Sequence, residues 1–368
     1  MSAQSCDVLI IGGGISGLMS AWFLQQAGRQ VTLIERHVCG REASWAGGGI
    51  LSPMYPWRYP DAVNVLAQHS QPQFEPLSAE LAELTGIDPE YFPTGMLMLD
   101  SEQWETAQAW CERWGYVLEV LDDRALSVFE PRLHTARKLA LWMPEIASIR
   151  NPRMVKALAK AVQLKGVALM EHTPAEAIDP SAERVRVRTP QGWLEAEDVV
   201  VTAGAWSAQL VPELPIEPVR GQIVAIDAPV GFLHHMVMEQ DRYLIPRKDG
   251  LILVGSTVEQ AGFDKRTDEA AREALLSFAY ARYPELAMFE VAHHWAGLRP
   301  GNPDSIPYIG AHPAHARLWL NTGHFRNGVV TSIASAQLLR ALIQVETPPF
   351  DPSPYALERS HALSVSAP

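Results

Sequence analysis

Apolar and polar positions in the first 35 residues change period twice. Four consecutive apolar residues, Val8 to Ile11, precede three glycines, and apolar positions then follow a helical spacing from about Ile15 to Ala27. A second short apolar stretch, Val31 to Ile34, comes next. A strand, a glycine turn, a helix and a second strand form a βαβ unit, because parallel neighbouring strands need a crossover connection. The pattern therefore predicts the beginning of a parallel sheet.

Two later parts of the chain have the same character. The helical run MVKALAKAVQLKG is followed by the strand-like VALMEH, and the strand-like LWLNTG precedes a helical run that ends in LLRALI. The continuous apolar run Val199 to Val201 is typical of a strand that is buried on both faces.

Alternating stretches lie between these parts. GQIVAID, RYLIPR and GLILVGST predict a set of antiparallel strands. SEQWETAQAWCERWG predicts a helix with Ser101 as its N-cap and Gly115 after its last turn. TDEAAREALLSFAYARYP predicts an amphipathic helix that is capped by Thr267.

This order predicts an α/β fold in two domains. A Rossmann-like βαβ domain is assembled from residues 1–85, 147–218 and 296–368, and an α+β domain on an antiparallel sheet is inserted as residues 86–146 and 219–295. The length of 368 residues agrees with two domains, since single cores rarely grow beyond about 250–300 residues.

Charge and composition indicate which classes of binding partner and which cell compartment to expect. The formal net charge of −12 disfavours nucleic acid and anionic membranes, because both need basic patches, but a local arginine cluster can still bind a small anion. The three cysteines form no CxxC pair and are expected as reduced thiols. The first residues have no basic segment, and the apolar run from Val8 to Leu24 is broken by glycines, so we expect a cytoplasmic protein without a membrane span.

Gly12, Gly14 and Gly17 form G-x-G-x-x-G between the first strand and the first helix. In dinucleotide-binding folds the first glycine allows the tight turn, the second lets the backbone approach a pyrophosphate, and the third permits close packing of helix on strand. The helix N-terminus offers N–H groups and a positive dipole end to phosphates. The alternative is a turn that only packs helix on sheet.

Glu35 stands directly after the second strand, where a carboxylate can accept hydrogen bonds from both ribose hydroxyls. An acid at this point argues against a 2′-phosphate. The motif does not separate NAD from FAD, because both contain an ADP half.

Three further stretches resemble FAD-dependent amino-acid oxidases of the D-amino-acid oxidase type. They are EASWAGGGILSP (residues 42–53), VVVTAGAWS (199–207) and NTGHFRNGVVTSIASAQLL (321–339). RYLIPRKDG, AGLRPGNPDSIPYIG and GHFRNG look like signature segments of the glycine oxidase subfamily, which is associated with thiamine biosynthesis. The resemblance runs over nearly the whole chain and implies a glutathione-reductase-type FAD-binding domain. Relatives that oxidise sarcosine attach the flavin to a cysteine in the C-terminal third, but the last cysteine here is Cys111, so noncovalent FAD is expected.

The resemblance also implies a set of cofactor-binding residues. Besides Gly12, Gly14 and Gly17 they are Ile15 and Ser16 at the pyrophosphate, Glu35 and Arg36 at the adenosine ribose, Ala43 and Ser44 at the phosphate or ribityl region, Gly48, Gly49 and Ile50 at the isoalloxazine, Ala175 at adenine, Gly204, and His324, Phe325, Arg326, Asn327, Gly328, Val329 and Val330 around the pyrimidine end. A helix that begins near Gly328 is expected to point its dipole at the N1–C2=O edge, which gains negative charge on reduction.

For the substrate, the resemblance places Arg299 bidentate on a carboxylate, with Tyr243 as a second donor and Arg326 nearby, and these three are the predicted catalytic residues. Planar guanidinium groups suit a carboxylate fork. Both arginines are expected in loops that flank the last strand pair. Ser52 and Val258 are predicted to border the substrate α-carbon. The alternatives are structural ion pairs for the arginines and a packing role for Tyr243.

The implied reaction is oxidative deamination of glycine or another small amine by hydride transfer from Cα to flavin N5. Glycine, O2 and water give glyoxylate, ammonia and hydrogen peroxide, and the imine can supply the thiamine thiazole. No base that removes a proton from Cα is required. We therefore interpret His324 first as a structural residue at the flavin and only second as an acid or base. Two alternatives stay open: an FAD-dependent D-amino-acid dehydrogenase that reduces a quinone, and a non-catalytic nucleotide-binding protein. No metal is predicted, and a homo-oligomer, a tetramer by resemblance, is expected.

Overall fold

The computed structural model describes residues 5–181 and 183–359, and in these two stretches the chain forms sixteen strands and ten α-helices. The strands are β1 Ser5–Ile11, β2 Val31–Ile34, β3 Met96–Met98, β4 Glu119–Asp122, β5 Leu139–Met143, β6 Ala168–Met170, β7 Ala177–Asp179, β8 Val185–Thr189, β9 Gly192–Val201, β10 Glu217–Asp227, β11 Met236–Glu239, β12 Arg242–Pro246, β13 Leu251–Gly255, β14 Glu290–Gly301, β15 Tyr308–His312 and β16 His315–Thr322. The helices are α1 Ile15–Gln26, α2 Ala43–Ala46, α3 Asp61–Ser70, α4 Phe74–Thr85, α5 Trp104–Trp114, α6 Asp123–Phe129, α7 Asn151–Leu164, α8 Ser207–Leu210, α9 Glu269–Arg282 and α10 Ser332–Ile343.

The first sheet has the strand order β15-β16-β9-β1-β2-β6, and β7 and β8 extend it from β9. Strands β16, β9, β1, β2 and β6 run parallel to one another. Val199, Val200 and Val201 lie between β1 and β16 and are completely buried, as their continuous apolar run predicts. The parallel sheet and its βαβ beginning are confirmed.

The second sheet has the order β14-β10-β13-β12-β11-β3-β5-β4. The pairs β10–β13, β13–β12 and β12–β11 are antiparallel, which confirms the prediction from GQIVAID, RYLIPR and GLILVGST. The long strand β14 pairs with β10 over its whole length, whereas β13 pairs with β10 only over residues 223–227.

Helix bounds agree with the sequence better at their ends than at their beginnings. Gly115 follows α5 in the left-handed conformation with φ +75°. Ser101, however, begins a single 3₁₀ turn, and α5 has Gln103 at its N-cap position without a side-chain capping hydrogen bond, so the N-cap prediction is wrong. Helix α9 is capped one residue later than expected, because the Asp268 carboxylate accepts the Ala271 N–H at 2.9 Å, and a carboxylate is a stronger acceptor than the Thr267 hydroxyl.

The parallel strands fix the place of the site. Their carboxyl ends, at Ile11, Ile34, Val201 and Thr322, all meet at one edge of the first sheet. Ligands of open α/β sheets bind outside this edge. In the part of the chain that the structure describes, the helices are all too short or too polar to cross a bilayer.

Candidate active site

A cavity of about 540 Å³ lies at this edge and is lined by residues of both sheets. Of the predicted residues it brings together Gly12, Gly14, Ile15, Ser16, Glu35, Arg36, Ala43, Ser44, Gly48, Gly49, Ile50, Ser52, Ala175, Gly204, Tyr243, Arg299, His324, Phe325, Arg326, Asn327, Gly328 and Val329. Residues from nearly 320 positions of sequence therefore converge on one space.

Three predicted residues do not line the cavity. Val258 is 47% exposed and lies outside the cavity lining, so its role beside the α-carbon stays a prediction. Val330 is buried in the core beneath α1 and α10 rather than facing the cavity. Gly17 lies behind the turn, where a Cβ would stand 1.9 Å from the Gly12 carbonyl oxygen, so its part is the close packing that its place in the motif predicts.

The glycine turn is held by backbone conformation. Gly12 has φ +111°, and a Cβ there would lie 2.6 Å from the Thr202 carbonyl oxygen. The Thr202 hydroxyl in turn donates to the carbonyls of Ile11 and Gly12, each at 2.9 Å. No acidic residue stands in the first turn of α1, so its positive end stays available to phosphate oxygens. The Ser44 hydroxyl accepts the Ile15 N–H at 2.9 Å and ties the second glycine-rich segment to this turn.

Glu35 organises the turn as well as facing the cavity. One carboxylate oxygen accepts the Gly13 N–H at 2.8 Å, and the other accepts the His37 N–H at 3.0 Å. A carboxylate oxygen can accept two hydrogen bonds, so each still has a lone pair for a ribose hydroxyl. The role toward Gly13 has no signal in the sequence.

Arg36 lies over the Trp206 ring, with 3.5 Å between guanidinium carbon and ring centroid. It also donates to Glu42 at 2.7 Å, and Glu42 is bridged by Lys265 at 2.9 Å. Trp206 lines the cavity but was not predicted as a site residue. Its place in the VVVTAGAWS stretch is the signal that could have identified it.

The turn after β16 contains a neutral histidine. Burial lowers the pKa of His324 to about 3, so the imidazole carries no charge at neutral pH. Its two ring nitrogens lie 2.9 Å from the Thr331 hydroxyl and 2.9 Å from the Asn321 amide oxygen. Both nitrogens are therefore engaged in holding the turn.

The helix behind this turn begins later than expected. Helix α10 starts at Ser332 instead of near Gly328. The Thr331 N–H donates to the Asn327 carbonyl at 3.0 Å, so one turn of helical hydrogen bonding precedes the assigned helix and still ends at the cavity.

Arg299 is on strand β14, which corrects the expected loop position. Its guanidinium donates to the Ser256 hydroxyl at 2.8 Å and to the Thr257 carbonyl at 3.1 Å. It lies against Gly221 on β10, where a Cβ would be 2.2 Å from its terminal nitrogens. Among the described residues it has no carboxylate partner, although it is partly buried in the cavity wall. Ser256 and Gly221 were missed, because their relation to Arg299 is set only by strand pairing.

The charge on Arg299 is retained at neutral pH. Burial, against an opposing effect of Tyr243 and with a smaller contribution from the charge of Arg326, lowers the pKa of the guanidinium to about 10. Two guanidinium groups thus act on the same space. Arg326 pairs with Asp241 at 3.3 Å, and its Nε is buried without a hydrogen-bond partner. Tyr243 is buried and lines the cavity, and its hydroxyl would lie 3.1 Å from a Cβ at Gly48.

The cavity residues fit FAD. The glycine turn and the open end of α1 suit a pyrophosphate, and Glu35 suits the ribose. At the other end the Asn327 Nδ2 is a buried donor without a partner, as is the Arg326 Nε, and such donors match the carbonyl groups of a flavin. Gly48 and Gly49 leave a wall without side chains, since a Cβ at Gly48 would be 2.8 Å from Ile245 Cδ1 and 3.1 Å from the Tyr243 hydroxyl.

Comparison with known proteins agrees with this site. The FAD dependent oxidoreductase family (DAO) matches residues 7–342. Glycine oxidase of Pseudomonas putida is 45% identical over 361 residues, which cover 96% of this chain and 99% of the relative, and glycine oxidase of Pseudomonas aeruginosa is 42% identical over 95% and 98%. The crystal structure of glycine oxidase from Geobacillus kaustophilus superposes with a TM-score of 0.93 at 29% identity and covers 97% of this chain and 99% of that one. The chain therefore belongs to the DAO family of FAD dependent oxidoreductases and is an FAD-dependent enzyme.

Proposed function

We propose that this enzyme oxidises glycine and other small amino acids or amines with O2 as the electron acceptor, giving the imine, then glyoxylate and ammonia from glycine, and hydrogen peroxide. The observation that carries this proposal is Arg299, a partly buried guanidinium that lines the FAD cavity and has no acid partner among the described residues. A substrate carboxylate completes it. The glycine oxidases of two Pseudomonas species, at 45% and 42% identity, support the choice of substrate.

The proposed roles follow from charge and geometry. Arg299 binds the carboxylate through its planar fork, and Tyr243 and Arg326 donate from either side. Each charge-assisted hydrogen bond contributes about 1.5–3 kcal/mol. The two guanidinium charges also lower the pKa of the bound substrate amine, which must be neutral before hydride can leave Cα. Bound FAD supplies the hydride acceptor. The chain orients the substrate and excludes water, and Ser52 stays a predicted neighbour of the α-carbon.

Three further predictions belong to this proposal. Each predicted cofactor-binding residue that lines the cavity is assigned to the part of FAD that the sequence analysis gives it. The domains divide at the boundaries predicted above, with strands β1, β2, β9 and β16 in the FAD-binding part and β11, β12 and β13 in the substrate part, while β10 and β14 cross the boundaries. The enzyme is also expected to form a homo-oligomer in the cytoplasm. The quinone-dependent dehydrogenase has no feature of the structure in its favour.

The test is an anaerobic reduction screen with the purified yellow protein. Glycine, sarcosine and small D-amino acids are mixed with the enzyme, and bleaching of the flavin is followed by absorbance. Glycine amide, which lacks the carboxylate, is the control and is expected to reduce the flavin far more slowly. Readmitted O2 should restore the colour and release hydrogen peroxide. Absence of bleaching by every carboxylate-bearing amine overturns the proposal, and bleaching without reoxidation by O2 points to the dehydrogenase.

A further inference from the structure

A second buried guanidinium lies on the other side of the cavity wall. Arg247 follows strand β12 and is only 6% exposed. It donates to the carbonyl oxygen of Gly48 at 2.7 Å and to that of Ile149 at 3.1 Å. Among the described residues these two peptide groups are the only hydrogen-bond acceptors of the guanidinium, and no carboxylate lies within ion-pair distance of it.

The nearest acids do not neutralise Arg247. Glu90 and Asp249 raise its pKa, but both are engaged by Arg150, at 3.2 Å and 2.6 Å. Burial, the largest effect, and the charge of Arg150 lower the pKa of Arg247 to about 10, so it remains a cation at neutral pH. A buried cation without an acid partner costs stability, and an apolar side chain of similar volume would avoid that cost.

Arg247 fixes the segment that carries the glycine wall. The Ile149 N–H donates to the Gly49 carbonyl at 2.8 Å, and a Cβ at Gly49 would be 2.1 Å from the Ile149 carbonyl oxygen. Asn151 donates to the Gly47 carbonyl at 3.1 Å. The Arg247 guanidinium links the Gly48 segment to the Ile149 segment, because it donates to a carbonyl of each. It therefore helps to set the position of Gly48 in the cavity wall.

We propose that Arg247 is a positioning residue for the Gly48–Gly49 wall and that its uncompensated charge stabilises negative charge on the reduced cofactor. This inference rests on the proposed contact between that wall and the isoalloxazine. The carbonyl dipole of Gly48 lies between the guanidinium and the cavity, and a charge in a buried, weakly screened environment acts over several ångströms. Arg247 thus raises the electron affinity of the bound flavin while it touches neither flavin nor substrate.

Two variants separate position from charge. Arg247→Met removes both, and Arg247→Lys keeps the charge but loses the planar fork. FAD affinity is measured by titrating apoprotein and following flavin fluorescence. Electron affinity is measured by sulfite titration of the FAD-saturated protein, since sulfite adds to flavin more tightly when positive charge is near. Arg359→Met is the matched control, because the Arg359 side chain is also buried and donates to carbonyls, but it pairs with Asp304 and donates to no residue that lines the cavity.

We expect the Kd for FAD to rise about ten- to hundredfold in Arg247→Met, from the loss of two charge-assisted hydrogen bonds, and to rise in Arg247→Lys too. Sulfite affinity should fall at least about tenfold in Arg247→Met and stay near wild type in Arg247→Lys and Arg359→Met. Wild-type FAD affinity in Arg247→Lys overturns the positioning role, and this variant decides the question if Arg247→Met does not fold. Equal sulfite affinity in all folded variants overturns the charge role. Neither readout depends on turnover of glycine, so either failure is distinct from failure of the proposed function.

Discussion

Different chemical groups line the two ends of the cavity. The end at α1 consists of backbone: a glycine with φ +111°, a helix N-terminus, and N–H groups held by one carboxylate. The opposite end consists of partly buried side-chain charge on the second sheet, with Arg299 held by a hydroxyl and peptide carbonyls. The first end suits a ligand that is the same in every member of a nucleotide-binding fold, and the second suits the one group that identifies the substrate.

The two ends of the cavity also differ in the free-energy cost of a substitution. Backbone at the α1 end is fixed by close packing, so any added atom disturbs the fold and the cofactor together. At the arginine end the guanidinium is costly to bury and is compensated only when an anion arrives. We therefore expect variants at the two ends to fail in different assays.

The largest effect is expected for Arg299→Met. Truncating one partner of a buried charge pair costs about 2–5 kcal/mol, so kcat/KM for glycine should fall about 30-fold to several thousand-fold. The Kd for FAD should stay within about twofold of wild type, because the α1 end is untouched. Steady-state oxygen consumption and FAD titration test the two halves. A parallel loss of FAD would show that the two ends are not independent.

The next effect is expected for Gly17→Ala, at the other end. A Cβ there would be 1.9 Å from the Gly12 carbonyl oxygen, so the turn must shift, and overpacking of this kind costs about 1–3 kcal/mol. The Kd for FAD should rise about 5- to 100-fold. At saturating FAD the KM for glycine should remain near that of wild type. Gly28→Ser is the control, because Gly28 also adjoins α1 and a Cβ there has open space, although its φ of +82° adds a small strain.

The sequence predicts the α1 end of the cavity better than the arginine end. The βαβ unit was found nearly to the residue, since periodicity, glycine spacing and Glu35 are all local signals. Arg299 and Tyr243 came from the resemblance, but the partners of Arg299 did not. Ser256 is 43 positions away and Gly221 is 78 away, and only the pairing of β14, β10 and β13 brings them together. Val258 lies outside the cavity lining for the same reason, because the side-chain direction beyond a strand end is set by tertiary contacts.

The smallest effect is expected for Gly221→Ala, and it tests whether the arginine end is free of backbone constraints. The added Cβ would lie 2.2 Å from the terminal nitrogens of Arg299, and a flexible guanidinium can move aside at little cost to folding. If the Arg299 guanidinium moves, it loses about one charge-assisted hydrogen bond to the substrate. The KM for glycine should then rise about tenfold, with little change in Tm or FAD affinity. A calorimetric Tm and a KM series measure this. An unchanged KM would mean that Arg299 has room to reach the carboxylate from more than one position, and a lower Tm without a KM effect would mean that Gly221 serves the sheet instead of the substrate.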